Sequence, residues 1–148
     1  MFTKIIVGTD GSHAANRALV AACGLTRATG AELTVVHAPT PDPMTFATGA
    51  MAGYAVVSAP PDNAKIIAEA EVVIEAAREL AAENGVTLKH ADVRLGDAGD
   101  QILAAAKEYE ADLIVTGRRG RSGIASLLLG STSQRITHNA TCAVLTVP

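Results

Sequence analysis

Two hydrophobic patterns alternate along the first forty residues. The run Ile5-Ile6-Val7-Gly8 is β-branched and ends in glycine, which is typical of a buried strand. From Ser12 to Thr29, apolar residues recur at intervals of three and four, the spacing of one helical face, and Gly30 follows as a stop signal. Leu33 to Ala38 is again a short apolar run. Strand, helix and strand with a short connection predict a βαβ unit, and therefore a parallel sheet.

The rest of the chain repeats this alternation after one irregular stretch. Pro39 to Pro61 is framed by prolines and has no clear period, so we expect a long loop there, with room for a short helix. The further elements predicted by spacing and turn signals are helices from Asp62 or Asn63 to Asn84, Ala98 to Tyr109 and Ser133 to Asn139, and strands from Val86 to Leu95, Leu113 to Thr116 and Ala143 to Val147. This order predicts an α/β fold, a doubly wound open parallel sheet of five strands with helices on both faces.

Composition narrows the class of protein. The chain has 148 residues, for which we expect one domain spanning 1–148. With 49% hydrophobic and 18% charged residues it is not an intrinsically disordered chain, and its apolar runs are far shorter than the ~20 residues that a membrane helix needs. No signal-peptide pattern opens the sequence, so we expect a cytoplasmic protein. A net charge of −3 offers no general attraction to nucleic acid or anionic membranes, so any anion site is local.

Common catalytic and metal-binding patterns do not occur. The Walker pattern, the dinucleotide fingerprint after the first strand and the G-x-S-x-G elbow are missing, and the histidines stand at spacings unsuited to zinc. His37 lies in an apolar strand and is predicted to be a satisfied core histidine. Cys23 and Cys142 are predicted to be small core residues. We therefore predict no catalytic residue and no metal site made by the protein alone.

A glycine-rich segment follows the predicted strand Leu113 to Thr116. The residues Thr116-Gly117-Arg118-Arg119-Gly120 are separated by nine residues from Gly130-Ser131-Thr132-Ser133. Glycines let the backbone approach a bulky anion, and the free N–H groups at a helix N-terminus favour negative charge. Arg118, Arg119 and Arg121 add the densest basic cluster of the chain. The segment favours a phosphate site, although a tight turn and a helix cap would use the same residues.

The segment also resembles a known motif. Gly117, Gly120, Gly130 and Ser131 match the G-x2-G-x9-G-[ST] motif of the ATP-binding branch of the universal stress proteins. Four further segments are also similar in sequence to this family, namely Ile5 to Ser12, Gly96-Asp97, Leu127 to Ser131 and Thr141 to Val147. The resemblance therefore covers essentially the whole chain. It implies the adenine nucleotide alpha hydrolase-like form of the doubly wound fold.

The resemblance also implies which residues bind the ligand. Thr9 and Ala38 would line the base pocket, and Asp10 would face the ribose and adenine, unless it only forms an Asx turn or helix cap. The residues that would hold ribose and phosphates are Thr116, Gly117, Arg119, Gly120, Gly130, Ser131, Thr132 and Ser133. Thr132 stands where relatives usually carry a small apolar residue, but its N–H is still available.

The function expected from the resemblance is that of a nucleotide-dependent regulatory module in the stress response. Its cofactor would be ATP, with Mg²⁺ held through the phosphates; Asp10 and Asp97 are the carboxylates that could assist. The alternatives are slow ATP hydrolysis, another adenine nucleotide such as cyclic AMP, or a nucleotide-free dimeric scaffold. The resemblance implies a homodimer through the edge strand Ala143 to Val147, with strand exchange as an option.

Overall fold

A computed structural model describes residues 1–39, 63–120 and 129–148. The strands are β1 (Lys4–Gly8), β2 (Glu32–His37), β3 (His90–Val93), β4 (Leu113–Gly117) and β5 (Ala143–Val147). The helices are α1 (His13–Thr29), α2 (Asn63–Glu83), α3 (Ala98–Glu108) and α4 (Ser131–Asn139). The predicted loop Pro39 to Pro61 lies outside the described residues except for Pro39. Arg121, and Leu127 and Leu128 of the segment Leu127 to Ser131, also lie outside them.

All strand pairs of the sheet are parallel, in the order β3-β2-β1-β4-β5. The central strand β1 places Val7 beside Val35 of β2 and beside Val115 of β4. The chain builds one half of the sheet outward from β1 and then returns to β4 on its other side. The doubly wound open sheet predicted from the sequence is thus confirmed, and the strand order reverses between β1 and β4.

Helices α1 and α2 cover one face of this sheet. The larger buried side chains on that face are Ile5, Val7, Leu19, Leu33, Val35, Ile74, Leu113 and Val115. They alternate along the strands with side chains that point to the other face, as the period of two requires. Gly30 ends α1 in the left-handed conformation with φ 73°, as its position in the sequence predicts.

Helices α3 and α4 cover the opposite face, where the core is smaller. Its buried side chains are Ile6, Val36, Ile102, Ala105, Ala106, Ile114 and Ile136. Gly8 permits the close approach of α3, because a Cβ at this position would collide with Cδ1 of Ile102. Within the described ranges, no helix combines the length and the apolar character that crossing a bilayer requires.

Three predictions need correction. The strand predicted over Val86 to Leu95 is only His90–Val93, because Val86 buries its side chain in the core without joining the strand ladder. Helix α4 begins at Ser131 and not at Ser133, since Gly130 serves as its N-cap. Cys23 is fully buried as predicted, whereas Cys142 is only half-buried and packs against the margin of the smaller core.

Candidate functional site

The carboxyl ends of β1 and β4 meet where the strand order reverses. Open α/β sheets bind ligands outside this point, because the two flanking loops turn to opposite faces and leave a crevice. Here the loop after β1 carries Thr9 and Asp10, and the loop after β4 carries Arg118 to Gly120. Ala38 follows the neighbouring strand β2 and is buried. The topology therefore brings the loop after β1 and the loop after β4 together at the carboxyl ends of the strands.

The turn after β1 is held by its own side chains. Oδ1 of Asp10 accepts a hydrogen bond from the N–H of Ser12 at 2.9 Å, and Oγ1 of Thr9 accepts one from the N–H of Gly11 at 3.2 Å. Ser12 in turn caps α1, since its hydroxyl accepts from the N–H of Ala15. The Asx turn foreseen for Asp10 is thus present, while the cap is provided by Ser12.

Gly117, the last residue of β4, and Gly120, in the loop that follows, lie where a side chain has no room. A Cβ on Gly117 would lie 2.8 Å from the carbonyl carbon of Ala14 and 3.0 Å from the amide nitrogen of Ala15, both backbone atoms of α1. A Cβ on Gly120 would lie 2.6 Å from Oδ2 of Asp10. Gly117 therefore packs the end of β4 against the start of α1, and Gly120 brings the loop backbone against the Asp10 carboxylate.

The segment Gly130 to Ser133 is hydrogen-bonded to the segment Gly117 to Gly120. The N–H of Gly130 donates to the carbonyl of Arg118 at 2.9 Å, and the hydroxyl of Ser133 donates to the carbonyl of Gly117 at 2.6 Å. Gly130 is extended, and no side-chain hydrogen bond caps the helix there. The predicted ligands Ser131 and Thr132 lie in the first turn of α4, exposed and half-buried respectively. The N-terminus of α4 consequently faces the loop that leaves β4.

The hydroxyl groups of the predicted site differ in their availability. Those of Thr116 and Ser133 are both directed to the carbonyl of Gly117, and both residues are buried. Their role in the described chain is to hold the loop, which spacing alone did not reveal. Arg119 is half-buried, whereas Arg118 is exposed.

An exposed group of charged side chains connects α4 to α3. Nη1 of Arg135 lies 3.1 Å from Oδ1 of Asp97 and 2.8 Å from Oδ2 of Asp100, at the N-terminus of α3. Gly99 leaves the space for this arginine, because a Cβ there would be 2.8 Å from its Cδ. Asp97 also caps α3 through its Oδ1. This carboxylate, considered above for Mg²⁺, is thus engaged in holding two helices together.

A separate groove lies at the opposite end of the sheet, near the amino ends of β4 and β5. It has a volume of ≈ 270 Å³ and lies between α3, the amino end of β4 and the segment before β5, with Cys142 in its wall. Partial burial raises the pKa of the Cys142 thiol. Among residues 1–39, 63–120 and 129–148, no group of three acidic, histidine or cysteine side chains is arranged to hold a metal ion.

The fold and the crevice define a doubly wound α/β protein with a glycine-lined loop opposite a helix N-terminus. The model of the universal stress protein family matches residues 1–148. This chain belongs to the universal stress protein family, which confirms the resemblance seen in the sequence.

Two relatives match the chain over almost its whole length. It is 35% identical to the universal stress protein YxiE of Bacillus subtilis and 36% identical to a universal stress protein of Thermus aquaticus named for its place in the QAH/OAS sulfhydrylase 3' region. In both pairs, 99% of each chain is covered. A universal stress protein solved in complex with cAMP superposes with a TM-score of 0.72 at 28% identity, covering 99% of this chain and 97% of that one.

Proposed function

We propose that this protein binds ATP in the crevice between β1 and β4 and acts as a nucleotide-dependent regulatory module of the stress response. The glycines 117, 120 and 130 and the first turn of α4 hold the phosphates, with Arg119 beside them. Asp10 receives the ribose hydroxyls, while Thr9 and Ala38 flank the base. Mg²⁺, when present, binds through the phosphates.

One observation carries this proposal. The Asp10 carboxylate stands against Gly120 at one side of the loop, and the N–H of Gly130 joins the same loop at Arg118 on the other. The arrangement combines an acceptor for neutral hydroxyl groups with backbone N–H groups and a helix dipole that favour an anion. A nucleotide presents both kinds of group within one molecule.

The first experiment identifies the ligand. Freshly purified protein is denatured, and any released nucleotide is identified by mass spectrometry. Calorimetric titrations with ATP, ADP and cyclic AMP then rank these ligands. We expect ATP either to be released or to bind with measurable heat. Protein that purifies empty and gives no heat at ~1 mM ligand, a concentration that detects even weak binding, would contradict the proposal and favour the dimeric scaffold.

A loop variant tests the location of the site. Gly130→Val is suited to this, because Gly130 is extended and its Cβ would meet Arg118, Arg119 and Gly120 only at 3.5–3.8 Å. The added methyl groups reach toward the loop, so we expect at least about a tenfold loss of ATP affinity. Gly117→Val would be a poorer choice, since it would force α1 to move.

A matched glycine in the same fold provides the control. Gly24 lies within α1 and has nothing within 4 Å of the position of its Cβ. Gly24→Ala should leave ATP affinity unchanged and raise the free energy of unfolding by about 0.5–1 kcal/mol. ATP binding by Gly130→Val at the wild-type affinity, with the control behaving as expected, would remove the glycine loop from the site.

Cyclic AMP is the second candidate ligand. The relative solved with cAMP is 28% identical over nearly the whole chain. Most of the predicted contacts concern ribose and a first phosphate, which both nucleotides possess. In competition experiments, displacement of a fluorescent ATP analogue by cyclic AMP at lower concentration than by ATP would favour this alternative.

We further propose a homodimer formed along β5, the outer strand next to β4. An edge strand exposes unpaired backbone groups, and pairing with a second copy satisfies them. Sedimentation analysis over a range of concentrations tests this, with a monomer at all concentrations as the contrary result.

A further inference from the structure

The imidazole of His37, the last residue of β2, reaches across to β1. His37 is only 8% exposed, and its Nδ1 lies 2.8 Å from the carbonyl oxygen of Thr9. Because a carbonyl oxygen only accepts hydrogen bonds, Nδ1 must carry a hydrogen and donate it. The contact thus fixes which ring nitrogen is protonated, and it also explains why a polar side chain is found in this apolar strand.

This contact continues the hydrogen bonding between the two strands beyond their paired residues. The ladder pairs Gly8 with Val36. The N–H of Thr9 then donates to the carbonyl of Val36 at 3.0 Å, and the carbonyl of Thr9 accepts from His37. The backbone of Thr9 is therefore bound to β2 through both its polar groups, at the point where β1 leaves the sheet.

The peptide between Thr9 and Asp10 is the unit that the imidazole orients. Since a peptide is planar, fixing the carbonyl of Thr9 also fixes the N–H and Cα of Asp10. Oδ1 of Asp10 then accepts from Ser12, and Oδ2 faces Gly120. The imidazole consequently orients the peptide from which the Asp10 side chain departs.

We propose that His37 is a positioning residue of the nucleotide site, where its Nδ1–H holds the Thr9–Asp10 peptide so that the Asp10 carboxylate faces the ligand. This role rests on the proposed nucleotide site. It requires a hydrogen-bond donor at the position of Nδ1, and it does not require a charged ring.

Two substitutions separate hydrogen bonding from packing. His37→Leu retains bulk but has no donor, whereas His37→Asn places an amide N–H close to the position of Nδ1. We expect His37→Leu to bind ATP about tenfold more weakly than wild type, the effect of one hydrogen bond, and His37→Asn to stay within about threefold. Wild-type affinity in the Leu variant, or equal losses in both variants, would overturn the role.

The same substitutions in a second background test whether His37 acts through Asp10. In Asp10→Ala protein, His37→Leu should cause no further loss of affinity, because the positioned group is already gone. A further tenfold loss would show that His37 acts by another route.

Amide hydrogen exchange distinguishes failure of this role from failure of the nucleotide site. If wild type binds none of the three nucleotides, the proposed function fails, but the positioning role is still decided without ligand. The N–H of Ser12, which donates to Asp10, should then exchange faster in His37→Leu and at the wild-type rate in His37→Asn. Equal exchange in all three proteins would overturn the role.

Discussion

The two edges of the sheet differ in the side chains that accompany them. At the β3 edge, Asp92 accepts hydrogen bonds from Arg94 at 2.9 Å and from the hydroxyl of Tyr109 at 2.8 Å. Arg94 also binds Glu108, and the ring of His90 stacks on Tyr109 with centroids 4.7 Å apart. The β5 edge has the sequence Ala-Val-Leu-Thr-Val, with Leu145 37% exposed.

The difference indicates which edge is open to a partner. Charged side chains along an edge strand discourage the addition of another strand, because pairing would cost them part of their hydration. The apolar side chains of β5 carry no such penalty and gain by being covered. An ion network thus protects one edge, while the other matches the surface proposed for a second copy.

The largest effect is expected from a charge on the open edge. Leu145→Lys places an ammonium group in the proposed interface, so we expect the dimer dissociation constant to rise by about 100-fold or more. Sedimentation velocity measures this change. His90→Lys is the matched control, since it adds the same charge to the exposed side chain at the start of β3 and should leave the oligomeric state unchanged. A dimer lost in the control and kept in Leu145→Lys would reverse the comparison.

A smaller effect is expected from removing the charges at the protected edge. The double variant Asp92→Val, Arg94→Val leaves an apolar edge at β3, and we expect new self-association beyond the dimer. Light scattering as a function of protein concentration detects it. Glu108→Gln keeps both edge charges and should scatter like wild type. If the double variant remains as monodisperse as wild type, the network does not protect the edge.

The smallest effect concerns one hydrogen bond of the network. Tyr109→Phe removes the bond to Asp92 and should lower the free energy of unfolding by about 1 kcal/mol without changing the oligomeric state. Urea unfolding monitored at neutral pH measures this. A loss of association in this variant would link the β3 edge to assembly after all.

The same bond predicts a dependence on pH. Its hydrogen bond to Asp92, and then partial burial, raise the pKa of Tyr109 above its ordinary value. Because the folded state prefers the protonated phenol, this contribution is present below the ordinary pKa of about 10 and is lost as the pH rises through the higher folded value. The stability difference between wild type and Tyr109→Phe should therefore shrink in alkaline solution. A difference that stays constant would contradict the assigned cause.

The spacing of apolar residues predicted most helices and strands, because their formation depends mainly on residues that are neighbours in sequence. The apolar spacing of α1 and the stop at Gly30 depend on neighbouring residues, and both are found as predicted. The length of β3 was overestimated, because Val86 has the residue type of a strand but reaches the core from a connecting segment. Whether such a residue joins a ladder depends on the position of β2, which the pattern does not contain.

The sequence named the residues of the candidate site but not the contacts between them. Asp10 and Gly120 are distant in sequence, and their proximity follows from the strand order, which the sequence analysis left open. The imidazole of His37 was predicted to be satisfied in the core, and its partner Thr9 became visible only through the structure. The only indication of this contact in the sequence was the polar residue His37 near the end of an apolar strand.

The contrast between the two thiols has a practical consequence. Cys23 is fully buried, and its pKa is raised by that burial, so it is protected from alkylating reagents. Cys142 is half-buried in the groove at the amino end of β5, away from the crevice. A maleimide dye should therefore react slowly, and at this single cysteine, in unmodified protein. Such a probe would report on the neighbourhood of β5 by its fluorescence while leaving the crevice between β1 and β4 unlabelled.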